Sequence, residues 1–439
     1  MRSYARSLAL VAALSVALAP AAAQNAADGG PQPISLNDAV REAQANSPQM
    51  VQATGLSRVA TAQYRASAAR FLPSVGFQQY AAHLQGVSYQ GGVLLQSSGL
   101  WSYSQGYGAN LTVFDGGQNI LDYRAAKASR DAAEQNMIME RFAIALNVKQ
   151  QYFAVLAARE AVAAAQEQLK EANEQMAVTE AKIAGGAMSR ADSLSSAVAV
   201  GQAQVAVVTA QGNLIAANTG LTRLVGAPHE VTAVESDTGL VPAIALDSSS
   251  LVRLALNGPA VQQAEHQVAA NHLSWWASLS AYLPSLSVGY QGGSGWQTPH
   301  FILGGGTKSS STSLSFFVSY SLFDGFQRES RVVQADVNSD NARAQLRDAR
   351  LAARENIAQY LAQFQTAQTR IALQRLQIES ATENVAAKDA QYRAGAVGLV
   401  DVLTAQTALA QARQALIQAR LDARTAKAQI ESIIGKDID

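Results

Sequence analysis

The residues best suited to hold a metal or move a proton are five histidines, His83, His229, His266, His272 and His300, and they are scattered along the chain. His266 and His272 lie six apart, which does not set both on one helix face at metal-ligand spacing. There is no cysteine. That excludes disulfides, thiolate-bound zinc and a lipid-modified N-terminal cysteine. No Ser–His–Asp set and no phosphate-cradling glycine loop occurs in the sequence. The pattern points away from catalysis, and no cofactor or metal is expected. What remains is a pair of aspartates, Asp192 and Asp401, each a few residues beyond a glycine turn. Such an aspartate complements the positive end of a helix that starts there, by ~0.3–1 kcal/mol. Ser189 and Asp192 have the spacing of a capping pair. In a symmetric assembly of several chains, the copies of Asp401 would form a ring of carboxylates that repels anions and binds cations.

The elements that must position these aspartates are long helices. Residues 117–184 contain no proline, and glycine is confined to their ends. One uninterrupted helix over that span is about 100 Å long, against ~11–12 residues for an ordinary globular helix. Val162, Leu169, Met176 and Ile183 fall seven apart, the period of a coiled-coil seam. Ala158, Ala165 and Ala172 let a neighbouring backbone approach closely.

The chain is written as one unit twice. Phe114-Asp115-Gly116 recurs 209 residues later as Phe323-Asp324-Gly325, Gly186-Ala187 as Gly395-Ala396, and Asp192-Ser193-Leu194 as Asp401-Val402-Leu403. Further upstream the offset is 211: Leu72-Pro73-Ser74 matches Leu283-Pro284-Ser285. The seam recurs as Ile371, Ile378, Val385 and Tyr392. Each unit reads as a short helix (about 35–46; 248–257), a second helix (about 48–71; 259–282), two strands, the long helix, a glycine turn and a final helix. The first repeat spans 34–226, with a hairpin at about 74–114 and helices at 117–184 and 192–225. The second spans 246–435, with a hairpin at about 285–323 and helices at 326–394 and 401–434. The final helices have heptads of their own: Val200, Val207, Leu214, Leu221 and Leu409, Leu416, Ala423, Ile430. Asp115 and Asp324 are expected to N-cap the long helices. Residues 227–245, with Pro228, Gly239 and Pro242, form an irregular linker.

The strands carry the membrane signal. Trp101, Tyr103, Tyr107, Leu111 and Val113 alternate with serine, glycine, asparagine and threonine; Leu286, Val288, Tyr290 and Leu314, Phe316, Val318 do the same. Residues 74–89 alternate less cleanly, with a phase break expected near Gln79. Segments of ~10 residues, apolar on one face and small and polar on the other, are the pattern of outer-membrane barrel strands. The tips at about 90–99 and 292–311, rich in glycine and serine, read as outward loops. Trp275, Trp276 and Tyr282 suit either a membrane-interface belt or ordinary helix packing. Residues 1–23 read as a secretory leader: Arg2 and Arg6, an apolar core from Leu8 to Leu18, and small residues at Ala21–Ala23. No later window is expected to be apolar enough for a transmembrane helix. Charged residues are only 15% of the 439, with Lys+Arg 33 and Asp+Glu 33 and no basic block, so nucleic acid is not a partner. Four strands cannot close a barrel, which needs about eight, and an open edge in lipid leaves backbone groups unpaired. The barrel must be shared: two chains give eight strands, three give twelve.

The leader, the tandem repeat, Leu-Pro-Ser before each hairpin, Phe-Asp-Gly after it and the tip sequence Gly395-Ala-Val-Gly-Leu-Val-Asp-Val-Leu-Thr-Ala-Gln406 resemble the TolC family of outer-membrane efflux proteins, over about residues 34–435. The resemblance implies an α+β membrane protein: a homotrimer with a twelve-stranded outer-membrane β-barrel, four strands per chain, continued by a coiled-coil helical tunnel into the periplasm. It implies a periplasmic adaptor protein and an inner-membrane transporter as partners, contacted at the tips formed by Ala187, Met188, Ser189 and Val397, Gly398, Leu399. It makes Asp401 the periplasmic gate, with Asp192 in the first repeat. Thr404 stands where the family pattern has a second aspartate, and Val397 where it has an arginine, so this gate is expected to be weaker or held differently. The leading expectation is a passive duct for small-molecule efflux. One-step protein secretion shares the same duct, and a trimeric tether or adhesin stalk is the rival from another class.

Overall fold

The computed structural model describes residues 30–185, 189–234, 244, 247–302 and 308–438. The leader, residues 1–23, lies outside them, as do Ala187, Met188 and most of the second half of the linker. The first repeat runs β1 (Gln32–Ile34), α1 (Leu36–Asn46), α2 (Pro48–Ala69), β2 (Ser74–Gln90), β3 (Val93–Phe114), α3 (Gln118–Ala184) and α4 (Arg190–Val225). After β4 (Val231–Ala233) the second runs α5 (Ser248–Ala255), α6 (Pro259–Leu279), a single 3-10 turn (Ser280–Tyr282), β5 (Ser285–Thr298), β6 (Ser309–Ser319), α7 (Gln327–Arg393) and α8 (Leu399–Ile434).

The long helices α3 and α7 have 67 residues each. Along α3 lie α2 and α4; along α7 lie α6 and α8, which also touch α3. The rods therefore stand in the order α2/α4, α3, α6/α8, α7, with α2/α4 and α7 at the open edges. The heptad residues supply the seams. Leu169 and Met176 close over Ala172, Val200 and Ala203 between α3 and α4. Phe364, Ala367 and Ile371 meet Leu416, Ala419 and Ala423 between α7 and α8.

The thickest packing is at mid-height. Ile144, Val148, Val155 and Leu156 of α3 meet Leu221 and Val225 of α4, Ala39 and Ala43 of α1 and Val231 and Ala233 of β4. Each fully buried aliphatic side chain there contributes ~1.5–3 kcal/mol. The linker is not irregular throughout: β4 pairs in parallel with β1. The buried Tyr152 hydroxyl ties the two strands, donating to the Ile34 carbonyl (3.2 Å) and accepting from the Val234 amide (3.0 Å). Three-residue strands are too short to show alternation, so the sequence leaves them unannounced.

The long helices start differently from expectation. Gly117 (φ 87°) and Phe326 (φ 64°) hold the formal cap positions in left-handed conformation. Asp115 and Asp324 act from two residues upstream. Asp115 accepts from the Gly117 and Asn119 amides (3.1 and 3.0 Å), and Asp324 from the Arg328 amide (3.0 Å).

The main sheet is antiparallel in the order β2-β3-β5-β6. Its register collects Val75, Phe77, Tyr107, Leu111, Val288, Tyr290, Leu314 and Phe316 on one face. Gly76, Ser104, Gly106, Gly108, Gly289, Gly293, Ser311 and Ser313 share the other. The apolar pattern of β2 changes phase near Gln79, so Phe77 and Tyr80 lie on opposite faces, while the pairing itself shifts register between Leu84 and Gly86. One strand expectation is corrected. The 90–99 stretch is no open loop: pairing continues to Gln90–Val93 around Gly91-Gly92, whose φ of 62° and 80° suit a two-residue hairpin turn that only glycine accepts readily.

Candidate functional site

Both aspartates singled out by the sequence sit in the first turn of their helices. Asp192 is committed to its own helix. Its carboxylate accepts from the Ser189 amide (3.1 Å) and hydroxyl (2.7 Å), and the Ser189 oxygen accepts from the Asp192 amide (3.4 Å). Asp401 is exposed and, among the described residues, accepts from the Gly398 amide alone, at 3.2 Å. Its other lone pairs are open to water or a cation. Thr404, one turn along on the same face, is also exposed, and its hydroxyl turns back to the Val400 carbonyl (2.8 Å). Ser189 and Gly398 lie in the open and Val397 is partly covered. Leu399 corrects the expectation of an exposed tip: it is buried, packed with Tyr392 and Val402 against Val178 of α3. As the first residue of α8 it faces the gap between the two helical hairpins, which is where an apolar side chain goes.

A contact that the sequence did not single out lies just inside the tip. Tyr392, at the end of α7, is buried. The Thr179 hydroxyl gives its proton to the Gln175 carbonyl (3.0 Å), so the Tyr392 hydroxyl, 3.0 Å away, donates to Thr179. Ser196 of α4 donates to the same oxygen (3.2 Å). The Lys182 ammonium donates to the Tyr392 carbonyl and stands 4.1 Å from the centre of its ring. Three helices and both repeats meet in this network.

The network tops a polar line along α3. Lys149, Glu160, Glu171 and Lys182 fall eleven residues apart, close to three helical turns. They engage Glu431 and Asp437, Arg420, Arg413 and Tyr392 respectively: Lys149–Glu431 at 2.6 Å and Lys149–Asp437 at 2.8 Å, Arg420–Glu160 at 3.0 Å, Arg413–Glu171 at 3.1 Å. The seams within each hairpin are chiefly apolar; the seam between hairpins, α3 against α8 and the end of α7, adds ion pairs to apolar contacts such as that of Leu399 and Val402 with Val178. The eleven-residue spacing was the signal available in the sequence.

The outer edges carry apolar residues with nothing over them. On α4 these are Leu194, Val198, Val205, Val208 and Ile215, at spacings of three, four and seven. By length and composition α4 could cross a membrane, contrary to the expectation that no window after the leader qualifies. The repeat accounts for two of these residues, Val208 and Ile215. Val208 is 67% exposed, whereas its counterpart Ile417 on α8, which has α3 beside it, is 8% exposed. Arg424, the counterpart of exposed Ile215, is buried with its guanidinium 5.6 Å from the Phe153 ring of α3. Val59 on α2 is exposed and its counterpart Ala270 on α6 is buried. The first repeat lacks the long helix that the second already has beside it.

A sheet apolar outside and small and polar inside, borne on rods of this length with uncovered edges, is one subunit of a barrel-and-tunnel channel. A family model described as outer membrane efflux protein matches residues 39–227 and 251–436. No curated protein matches the sequence. Among solved structures the chain is similar to CusC, with 20% identity and TM-score 0.79 over 91% of this chain and 92% of that one. It is similar to the outer membrane protein VceC of Vibrio cholerae, with 18% identity and TM-score 0.75 over 92% and 97%. The CmeC outer membrane channel of Campylobacter jejuni has 18% identity and TM-score 0.77 over 92% and 86%. The chain belongs to the outer membrane efflux protein family. It is a channel of the outer membrane that reaches into the periplasm, not an enzyme. Three chains complete a twelve-stranded barrel continued by the helical tunnel.

Proposed function

We propose that the trimer is the passive outer-membrane duct of a three-part efflux machine for small molecules, closed at its periplasmic end until partners open it. The observation that carries this reading is the contrast between seams. Each hairpin, α3 with α4 and α7 with α8, is held chiefly by apolar packing, while the hairpins are joined to each other by ion pairs and by the Thr179–Tyr392–Lys182 network beside a small apolar contact of Leu399 and Val402 with Val178. Polar contacts can be exchanged for water at little net cost, so this seam can part while each hairpin stays whole. Asp401, exposed beside Thr404, sits where three copies form an acidic ring at the tunnel mouth. Asp192, bound up in its capping box, supports the turn rather than the ring. The partner that opens the seam is a periplasmic adaptor carrying an inner-membrane transporter. It meets the exposed residues Ser189 and Gly398 and the partly covered Val397, with Ala187 and Met188, which lie outside the described residues, completing the first tip; Leu399 holds the second tip from beneath.

The test is conductance in planar bilayers. The wild-type channel is expected to pass a small, cation-selective current that divalent cations block. Asp401→Asn is expected to lose the block and most of the selectivity. A block unchanged in Asp401→Asn refutes the gate, and a trimer without any conductance refutes the duct.

A further inference from the structure

The inner, small and polar face of the sheet carries no charged side chain over residues 74–82, 102–112, 285–297 and 309–319. Over the same described residues it carries two aromatic ones, Tyr80 on β2 and Phe317 on β6. Tyr80 pairs with Ser104, and Phe317 with Ser287. Successive side chains point to opposite faces, so both rings share the side of those serines. Both are open, at 63% and 57% exposure. A Cβ on Gly289 would lie 2.9 Å from Asn110 Oδ1 and 3.4 Å from Phe317 Cε2. The Phe317 ring therefore leans over Gly289 on the inner face, beside the polar wall.

One chain holds these two residues on the outermost strands of its sheet. The repeat shows where they meet. The two hairpins pair in the same register: Ser74 with Asn110 in the first recurs as Ser285 with Ser319 in the second. First strands thus correspond at an offset of 211 and second strands at 209. The β3–β5 junction inside the chain is then the template for β6 against β2 of the next copy. Across that template Gly108 pairs with Gln291. Their counterparts at the two offsets are Phe317 and Tyr80. Phe317 stands directly opposite Tyr80 of the next copy, where Cβ atoms lie ~4.5–5.5 Å apart. The junction within a chain has a glycine and a glutamine; the junction between chains has two rings.

We propose that the three Phe317–Tyr80 pairs of the closed barrel are a contact site for transported molecules that carry an aromatic ring. A solute ring stacks on such a pair at ~4.5–7 Å between centroids, and an organic cation is drawn to the ring faces. Elsewhere along these strands the wall offers hydroxyls, amides and bare backbone, so an aromatic solute sheds its water at this level. Lumen-facing residues tune what a barrel passes. Each site takes one ring from each of two chains. It names a class of cargo for the duct proposed above and rests on that reading.

The chain has no cysteine, so paired cysteines test the register. Phe317→Cys with Tyr80→Cys, treated with a short bis-maleimide in the folded trimer, is expected to join chains covalently. Ser313→Cys with Tyr80→Cys, on the same strand face but out of register, is expected not to. Any other pattern overturns the site. Binding is read with tetraphenylphosphonium against tetrabutylammonium, cations of equal charge of which only the first has rings. Equilibrium dialysis of the trimer in lipid nanodiscs, corrected for empty discs, is expected to show several-fold tighter binding of tetraphenylphosphonium. Phe317→Leu alone is expected to weaken that preference, and Phe317→Leu with Tyr80→Leu to abolish it. No preference in the wild type, or an undiminished one in either variant, overturns the site. In planar bilayers, tetraphenylphosphonium added on the barrel side is expected to interrupt the current several-fold longer than tetrabutylammonium, and equal interruptions overturn the site. A trimer that binds as expected and passes no current refutes the duct and supports the site.

Discussion

Asp401 and Asp192 occupy matching places in the repeat and have different freedom. Asp192 spends its carboxylate on two hydrogen bonds from Ser189; Asp192→Ala is expected to cost ~0.5–2 kcal/mol of stability, measured by denaturant unfolding, and to leave cation block unchanged. Asp401→Asn is expected to change stability by less than ~1 kcal/mol and to act on conduction. Lys149 is a third kind of residue. Burial opposes its charge, but the hydrogen bonds to Asp437 and Glu431 outweigh that and hold its pKa above the ordinary 10.5. A raised folded-state pKa means its stabilisation is whole below the ordinary value and is lost as pH climbs through the folded one. Lys149→Gln removes the nearer of two cations from Glu431, leaving Lys427 at 4.0 Å. Its cost is expected at about 2 kcal/mol, between the values for surface and buried pairs. The wild-type melting temperature should fall toward the variant's above pH 10.5; curves that stay parallel through that range contradict the assignment. Of these three, the sequence announced the aspartates, because a carboxylate beyond a glycine turn has a visible place. Lys149 was silent, because its partners are 282 and 288 residues away.

At the scale of elements, the long helices were legible because each apolar seam repeats every seven residues over many turns. Short pieces without a period were not: β1 and β4 pair only once the chain has folded, and the turn at Gly91-Gly92 hid inside a stretch that reads as a loop. The eleven-residue polar line on α3 was visible but has meaning only beside α8. It makes a prediction about the hairpins as bodies. Tyr392→Phe with Lys182→Ala removes the hydroxyl donor and the ammonium that bridge the repeats at the tip. Single-channel conductance is expected to rise several-fold while the helix content by circular dichroism is unchanged, because the apolar seams inside each hairpin are untouched. A closed channel in the double variant, with structure intact, places the restraint elsewhere.

The whole molecule is governed by what one chain leaves unfinished. Its four-stranded sheet has free edges at β2 and β6, and its α4 edge exposes Val208 and Ile215, whose second-repeat counterparts Ile417 and Arg424 are buried. Val208→Asp with Ile215→Asp puts two carboxylates into that edge, each costing several kcal/mol if buried unpaired. The variant is expected to leave the monomer folded and to abolish assembly, read by light scattering behind a sizing column. The central claim is that the channel wall is shared among identical chains, and native mass spectrometry of the wild-type protein in mild detergent measures it most directly. The account predicts one dominant species of three chains with no other protein bound; a stable single chain, or a closed pair, contradicts it.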